Sequence, residues 1–136
     1  MKTIRVGLAG CGFAGHIHAR SVALVKASQI SKLVSIKPVV VADTNIARAQ
    51  STANQYGWDE AVDSWEKLFE YDLDLLIVAL PNGEHAEIVK RATEYNITVL
   101  LEKPVARTYD DALAMLKIGA ANPNLRVAYV NRFVPA

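Results

Sequence analysis

Two hydrophobic periods alternate along this chain of 136 residues, and that alternation limits its fold more than any other feature. Short runs rich in Val, Ile and Leu recur at Ile4 to Ala9, Pro38 to Ala42, Leu73 to Leu80, Ile97 to Leu101 and Leu125 to Val130. Each is nearly continuous in hydrophobicity, as expected of strands buried on both faces of a parallel sheet. Helix-length segments separate them: Phe13 to Ala27, Asn45 to Tyr56 behind a Thr44 N-cap, Glu84 to Tyr95, and Asp110 to Ala121. Gly57 stops the second, and Thr108 with Asp111 opens the fourth in a capping-box-like arrangement. A short helix is expected near Ser64 to Glu70. Strand and helix in strict alternation build βαβ units with right-handed crossovers. The expectation is an α/β domain, a doubly wound and mostly parallel Rossmann-type sheet with helices on both faces.

Composition narrows the partners. Fifteen basic against 14 acidic side chains leave a formal charge of +1. That is no footprint for nucleic acid or a membrane surface. The longest unbroken apolar run, Leu75 to Leu80, falls far short of the ~20 residues that span a bilayer. Val6 to Ala9 before Cys11 is too short for the h-region of an export signal. One cysteine excludes an internal disulfide and a cysteine-based zinc site. A single cytoplasmic domain without a metal is expected.

In such folds the ligand lies beyond the carboxyl ends of the strands. That rule selects Gly10 to Gly15, Asp43-Thr44, Pro81 to His85, Glu102 to Pro104, and Asn131-Arg132. Gly10-Cys11-Gly12-Phe13-Ala14-Gly15 is a G-x-G-x-x-G between a predicted strand and a predicted helix. Gly10 permits the tight turn, Gly12 lets a diphosphate approach the backbone, and Gly15 lets the helix lie close to the sheet. Phe13 and Ala14 open that helix, whose unpaired N–H groups and dipole suit an anion. The alternative is a glycine-rich turn without a ligand.

Asp43 ends the second strand 28 residues beyond Gly15, more than the usual spacing of about 20. The connection from Ser28 to Lys37 accounts for the excess. A carboxylate here accepts hydrogen bonds from the adenosine ribose hydroxyls and repels a 2′-phosphate, favouring NAD over NADP. Thr44 and Asn45 follow, where an NADP site tends to offer Arg or Lys; Arg48 stands one turn further. The alternative is that Asp43 only caps the next helix.

At the later strand ends, Glu102-Lys103-Pro104 places two charges at the rim of a buried strand, where they need partners. An ammonium there suits the alkoxide-like charge that develops when hydride leaves an alcohol carbon. The competing reading is a surface salt bridge. His16 and His18, two apart on a helix, face different ways and do not share a metal. Cys11 at a helix start has a lowered pKa in principle, though a small packing residue fits the position better. Trp58 and Trp65 are expected to cover the sheet edge.

The chain resembles the N-terminal domain of the Gfo/Idh/MocA oxidoreductases. The matching parts are Ile4 to Gly12 with His18, Pro81-Asn82 with His85, Glu102-Lys103-Pro104, and Tyr129 to Pro135. The Glu-Lys-Pro element is the most specific. The resemblance implies that Lys103 contacts substrate and assists catalysis. It implies that the glycine loop and Asp43 bind the cofactor and that Pro81, Asn82 and Glu102 lie near the nicotinamide ribose. Thr44, His85 and Arg132, at the same strand ends, are expected to bind the cofactor with them. A sugar or polyol is the implied substrate, and a non-catalytic dinucleotide-binding regulatory module is the alternative. Family members continue into a larger α/β domain that supplies the substrate pocket, an Asp/His pair and the oligomer contacts. The expectation is a cofactor domain over 1–136 that lacks this second domain and is inactive alone.

Overall fold

The computed structural model describes residues 1–28 and 32–135; Gln29, Ile30 and Ser31, within the Ser28 to Lys37 connection, and Ala136 lie outside the described residues. The chain runs β1 (Thr3–Ala9), α1 (Phe13–Ala27), β2 (Ser35–Ala42), α2 (Ile46–Tyr56), β3 (Glu60–Val62), β4 (Leu75–Val78), α3 (His85–Glu94), β5 (Thr98–Leu101), α4 (Tyr109–Ala121) and β6 (Leu125–Val127). The six strands form one sheet in the order β3-β2-β1-β4-β5-β6, every pair parallel. This is the doubly wound α/β arrangement expected from the two periods.

Successive residues of each strand feed opposite cores, which is why the runs read as continuously apolar. Leu8, Val41 and Ile77 join Val22, Ala49 and Ala53 from α1 and α2 on one face. Val40, Leu76, Val78, Val99 and Leu101 join Ile88, Val89 and Met115 from α3 and α4 on the other. A 3-10 turn, Trp65–Glu70, sinks Leu68 and Phe69 into that second core, where a short helix was expected.

The differences from the sequence reading have local causes. β2 begins at Ser35 rather than Pro38, because Pro38 sits at a register shift opposite Val6 and Gly7. A bulge tolerates a residue that cannot donate to the ladder. β3 has no counterpart in the hydrophobic runs: exposed Glu60 and half-buried Ala61 and Val62 carry too little hydrophobic signal, yet they pair with Val40 to Ala42 and cover that edge. α2 is capped by Asn45, not Thr44; the Asn45 side chain accepts the Arg48 N–H at 3.2 Å. The predicted run to Val130 ends at Val127, followed by a 3-10 turn over Val130–Phe133. Gly57 closes α2 at φ +70°, and Thr108 caps α4 by accepting the Asp111 N–H at 3.1 Å. Among the described residues, no helix is long and apolar enough to cross a membrane.

At the amino ends of the strands, Asp74 braces β4 to β1. Its carboxylate accepts the Arg5 backbone N–H at 2.8 Å and two guanidinium bonds at 2.9 and 3.1 Å. These bonds hold the Asp74 carboxyl down at about 2. An unfolded chain has this group near 3.9, so the folded state binds its proton less readily. The brace is therefore fully present above about pH 4 and is lost as pH falls through the folded-state value. Asp74→Ala is expected to cost about 1–2 kcal/mol at pH 7. Urea melts of both proteins should show that gap closing as pH approaches 2; a gap independent of pH refutes the brace.

Candidate functional site

Three local features meet above the carboxyl edge of the sheet. β1 runs out into Gly10, just past its last residue Ala9; the Gly10 φ of +92° lies in the region that favours glycine, and its N–H donates to Ala42 O at 2.8 Å. A Cβ on Gly10 would stand 2.5 Å from Ala79 O. α1 then starts so close to the strand it leaves that a Cβ on Gly15 would lie 1.8 Å from Gly10 O. Gly12 differs from both. Its backbone is extended, at φ −72° and ψ −161°, and no atom of the described residues lies within 4 Å of the Cβ it lacks. The space above Gly12 opens onto the N-terminus of α1, which has no side-chain cap and no acidic residue in its first turn. Free N–H groups and the positive end of the helix dipole face that space.

Asp43 stands opposite, 8% exposed. Its Oδ2 accepts the Cys11 N–H at 2.9 Å and its Oδ1 accepts the Asn45 N–H at 2.8 Å. One carboxylate thus ties the glycine turn to the start of α2. Each oxygen keeps a further lone pair for an incoming hydroxyl. The Arg48 guanidinium lies 3.5 Å from Oδ2 and offsets part of the charge. Burial pushes the Cys11 thiol up to about 11, with the Asp43 charge adding to the effect and the Thr52 hydroxyl opposing it. Desolvation outweighs the helix start here, and Cys11 is a packing residue, 4% exposed.

These residues enclose a cleft of about 310 Å³, lined by Gly10, Gly12, Asp43, Thr44 and Pro81 together with Arg48, Trp65, Ala79, Leu80 and Glu84. Five predicted residues therefore share one cleft. Trp65 lines it as well as covering the sheet, and its position in a turn of low periodicity left no signal for that. Phe13 is 87% exposed at the first position of α1, and Ala14 is half-buried beside it. Asn82 begins a 3-10 turn, Asn82–Glu84, whose last residue, Glu84, lines the cleft.

His85 does not face the cleft. It is 1% exposed, with Nε2 2.9 Å from Leu80 O and Nδ1 3.2 Å from Val105 O, so it joins the loops that follow β4 and β5. Glu102 is half-buried and hydrogen-bonds His18 Nε2 at 2.7 Å. It does not pair with the Lys103 ammonium, so the surface salt bridge weighed above is absent. Among the described residues, Lys103 forms no ion pair. It lines a separate small depression with Tyr129, Asn131 and Arg132, and Arg132 stacks over Phe133 at 5.5 Å. The peptide joining Lys103 to Pro104 is cis. His16 meets Tyr56 Oη at 2.6 Å, so the two histidines serve different partners. Among the described residues, no cluster of three His, Cys, Asp or Glu could hold a metal ion.

The all-parallel strand order, the glycine turn into an uncapped helix and the acid ending β2 define a dinucleotide-binding Rossmann domain. Residues 4–129 match the family described as Gfo/Idh/MocA, "Oxidoreductase family, NAD-binding Rossmann fold", and the chain belongs to that family. A crystal structure of a myo-inositol dehydrogenase from Corynebacterium glutamicum superposes with a TM-score of 0.83 at 32% identity, over 98% of this chain and 38% of that one. A levoglucosan dehydrogenase in complex with NADH and L-sorbose superposes with a TM-score of 0.86 at 28% identity, over 97% and 36%. An NADP(+)-dependent D-xylose 1-dehydrogenase of Haloferax volcanii is 35% identical over 97 residues, 70% of this chain and 30% of its own length. The chain thus spans between three-tenths and two-fifths of these relatives.

The two glycines make opposite demands on the fold. Gly15→Ala is expected to destabilise the chain by about 3 kcal/mol or more, because backbone must move to admit the methyl group. Gly12→Ala should stay within about 0.5 kcal/mol of the wild type in the absence of ligand. Thermal melts compare them; equal losses would refute the assignment of Gly15 to packing and Gly12 to open space.

Proposed function

We propose that this chain is the cofactor-binding half of a cytoplasmic oxidoreductase. It moves hydride between NAD and a hydroxyl-bearing carbon of a sugar, polyol or related small molecule. The observation that carries this reading is the cleft itself: Gly12, its open space and Asp43 lie together at the crest of the sheet. Amides of Gly12, Phe13 and Ala14 would receive the diphosphate, and Gly10 and Gly15 hold them in place. Asp43 and Thr44 would receive the adenosine ribose, Asp43 through lone pairs that Cys11 and Asn45 leave free. Pro81, Asn82, Glu102 and Arg132 belong to the loops on the nicotinamide side, with His85 supporting them from within.

A bound nicotinamide would supply the hydride acceptor. Lys103 is the residue assigned to the reacting oxygen. Its ammonium, which forms no ion pair among the described residues, can donate to a substrate hydroxyl and stabilise negative charge as it develops there. The substrate pocket, proton acceptor and oligomer contacts are assigned to polypeptide outside residues 1–136. The relatives that act on inositol, levoglucosan and xylose support hydroxyl-rich substrates as the class.

Asp43 favours NAD because a 2′-phosphate would meet its carboxylate, while Arg48 beside it softens that penalty. A preference for NAD over NADP of about tenfold is expected, equivalent to about 1.4 kcal/mol. Asp43→Asn should reduce that ratio, and Arg48→Ala should widen it. Calorimetric titration of the chain with both dinucleotides checks this. Binding of neither, or binding unaltered by Gly12→Ala, would remove the proposal. In an enzyme carrying this domain, Lys103→Ala is expected to lower kcat by about 100-fold or more with little change in NAD affinity. Unchanged turnover would exclude Lys103.

A further inference from the structure

We propose that His18 is a positioning residue for the nicotinamide end of the cleft, acting through Glu102 on the Glu102-Lys103 corner. The proposal rests on the reading of the cleft as a nicotinamide dinucleotide site. His18 lies three residues beyond Gly15, and residues at that spacing share a helix face. Gly15 faces Gly10 and Ala79 at the crest. From the same face the His18 ring crosses to the end of β5, 84 residues further along the chain, and meets Glu102 Oε1 at 2.7 Å. An ionised carboxylate only accepts, so Nε2 is the donor.

The other carboxylate oxygen accepts the Lys103 backbone N–H at 3.0 Å. The backbone of Glu102 is itself anchored, donating to Val78 O at 2.9 Å. The side chains of His18 and Glu102 are 12% and 16% exposed. With both oxygens engaged, the carboxylate cannot swing, and the Lys103 backbone is held against it. Remove the imidazole, and a largely buried oxygen loses its partner. Such a group turns toward water, because an unsatisfied charged acceptor is costly to keep buried. Lys103 would follow through its own N–H.

The consequence for binding comes from where His18 starts. α1 offers its first amides to the diphosphate and, one turn later, His18 to the Glu102-Lys103 corner. The distance between those amides and the Glu102-Lys103 corner is then set by one rigid helix. A histidine that served only packing would support both ends equally, whereas a positioning role affects the nicotinamide end alone.

Titration of the chain with NAD and with ADP-ribose, which lacks nicotinamide, separates the two roles. His18→Asn puts its amide nitrogen where Nδ1 lies, out of reach of Glu102; His18→Gln puts it where Nε2 lies. We expect His18→Asn and His18→Ala to lose about tenfold in NAD affinity and to keep ADP-ribose affinity within about twofold, with His18→Gln recovering NAD. In the free protein, the Lys103 amide resonance should shift in His18→Asn and return in His18→Gln. Parallel losses for both ligands, unchanged NAD affinity, no recovery by Gln, or an unmoved Lys103 amide each overturns the proposal. If the wild-type chain binds neither ligand, the cofactor reading fails by itself. The Lys103 amide then still decides whether His18 holds the corner.

Discussion

The contact between Gly15 and the carbonyl of Gly10 is the constraint on which the rest of the crest depends. With 1.8 Å between that oxygen and the Cβ that Gly15 lacks, the first turn of α1 lies directly on the strand it leaves. This closeness sets the uncapped helix end above the sheet and aims its N–H groups into the cleft. It also brings His18, one turn later, within reach of the end of β5. Any larger residue at Gly15 would lift the helix and displace both groups together.

Asp43 shows how a buried acid can serve structure and ligand at once. Its oxygens hold the Cys11 and Asn45 amides, so the glycine turn and the start of α2 are fixed before any ligand arrives. Preorganisation of this kind reduces the ordering cost of binding. The reading of Asp43 as a mere helix cap is replaced by a finer division of labour: Asn45 caps α2, and Asp43 restrains the turn that precedes it. The neighbouring Arg48 complicates the sequence rule for cofactor choice, because a carboxylate beside a guanidinium repels a phosphate less than an isolated one.

Much of the fold was legible because a parallel sheet buries both faces of its strands, so Val39-Val40-Val41 and Leu75 to Val78 announce themselves without alternation. The exceptions share a cause. β3 is stabilised by pairing with β2 and by its position at the edge, not by its own residues. Pro38 reads as a strand boundary until the bulge opposite Val6 and Gly7 explains its place. At the site, the glycine spacing and the acid ending β2 were legible because each reflects a local backbone demand. The roles of His18, His85 and Trp65 were not, since each depends on a partner far away in sequence or on a surface formed only by folding.

The amino-acid order alone determined the alternation of strand and helix, the glycine turn, the acid at the end of β2 and the Glu-Lys-Pro corner after β5. These are properties of short stretches, set by burial period, backbone freedom and charge. Only the tertiary structure decided that Glu102 meets the His18 ring rather than the Lys103 ammonium, that His85 turns inward to two carbonyls, and that Arg48 shares the Asp43 carboxylate. Side chains on different elements choose partners by the distances the packed sheet imposes, and those distances exist only once the helices have settled on both faces.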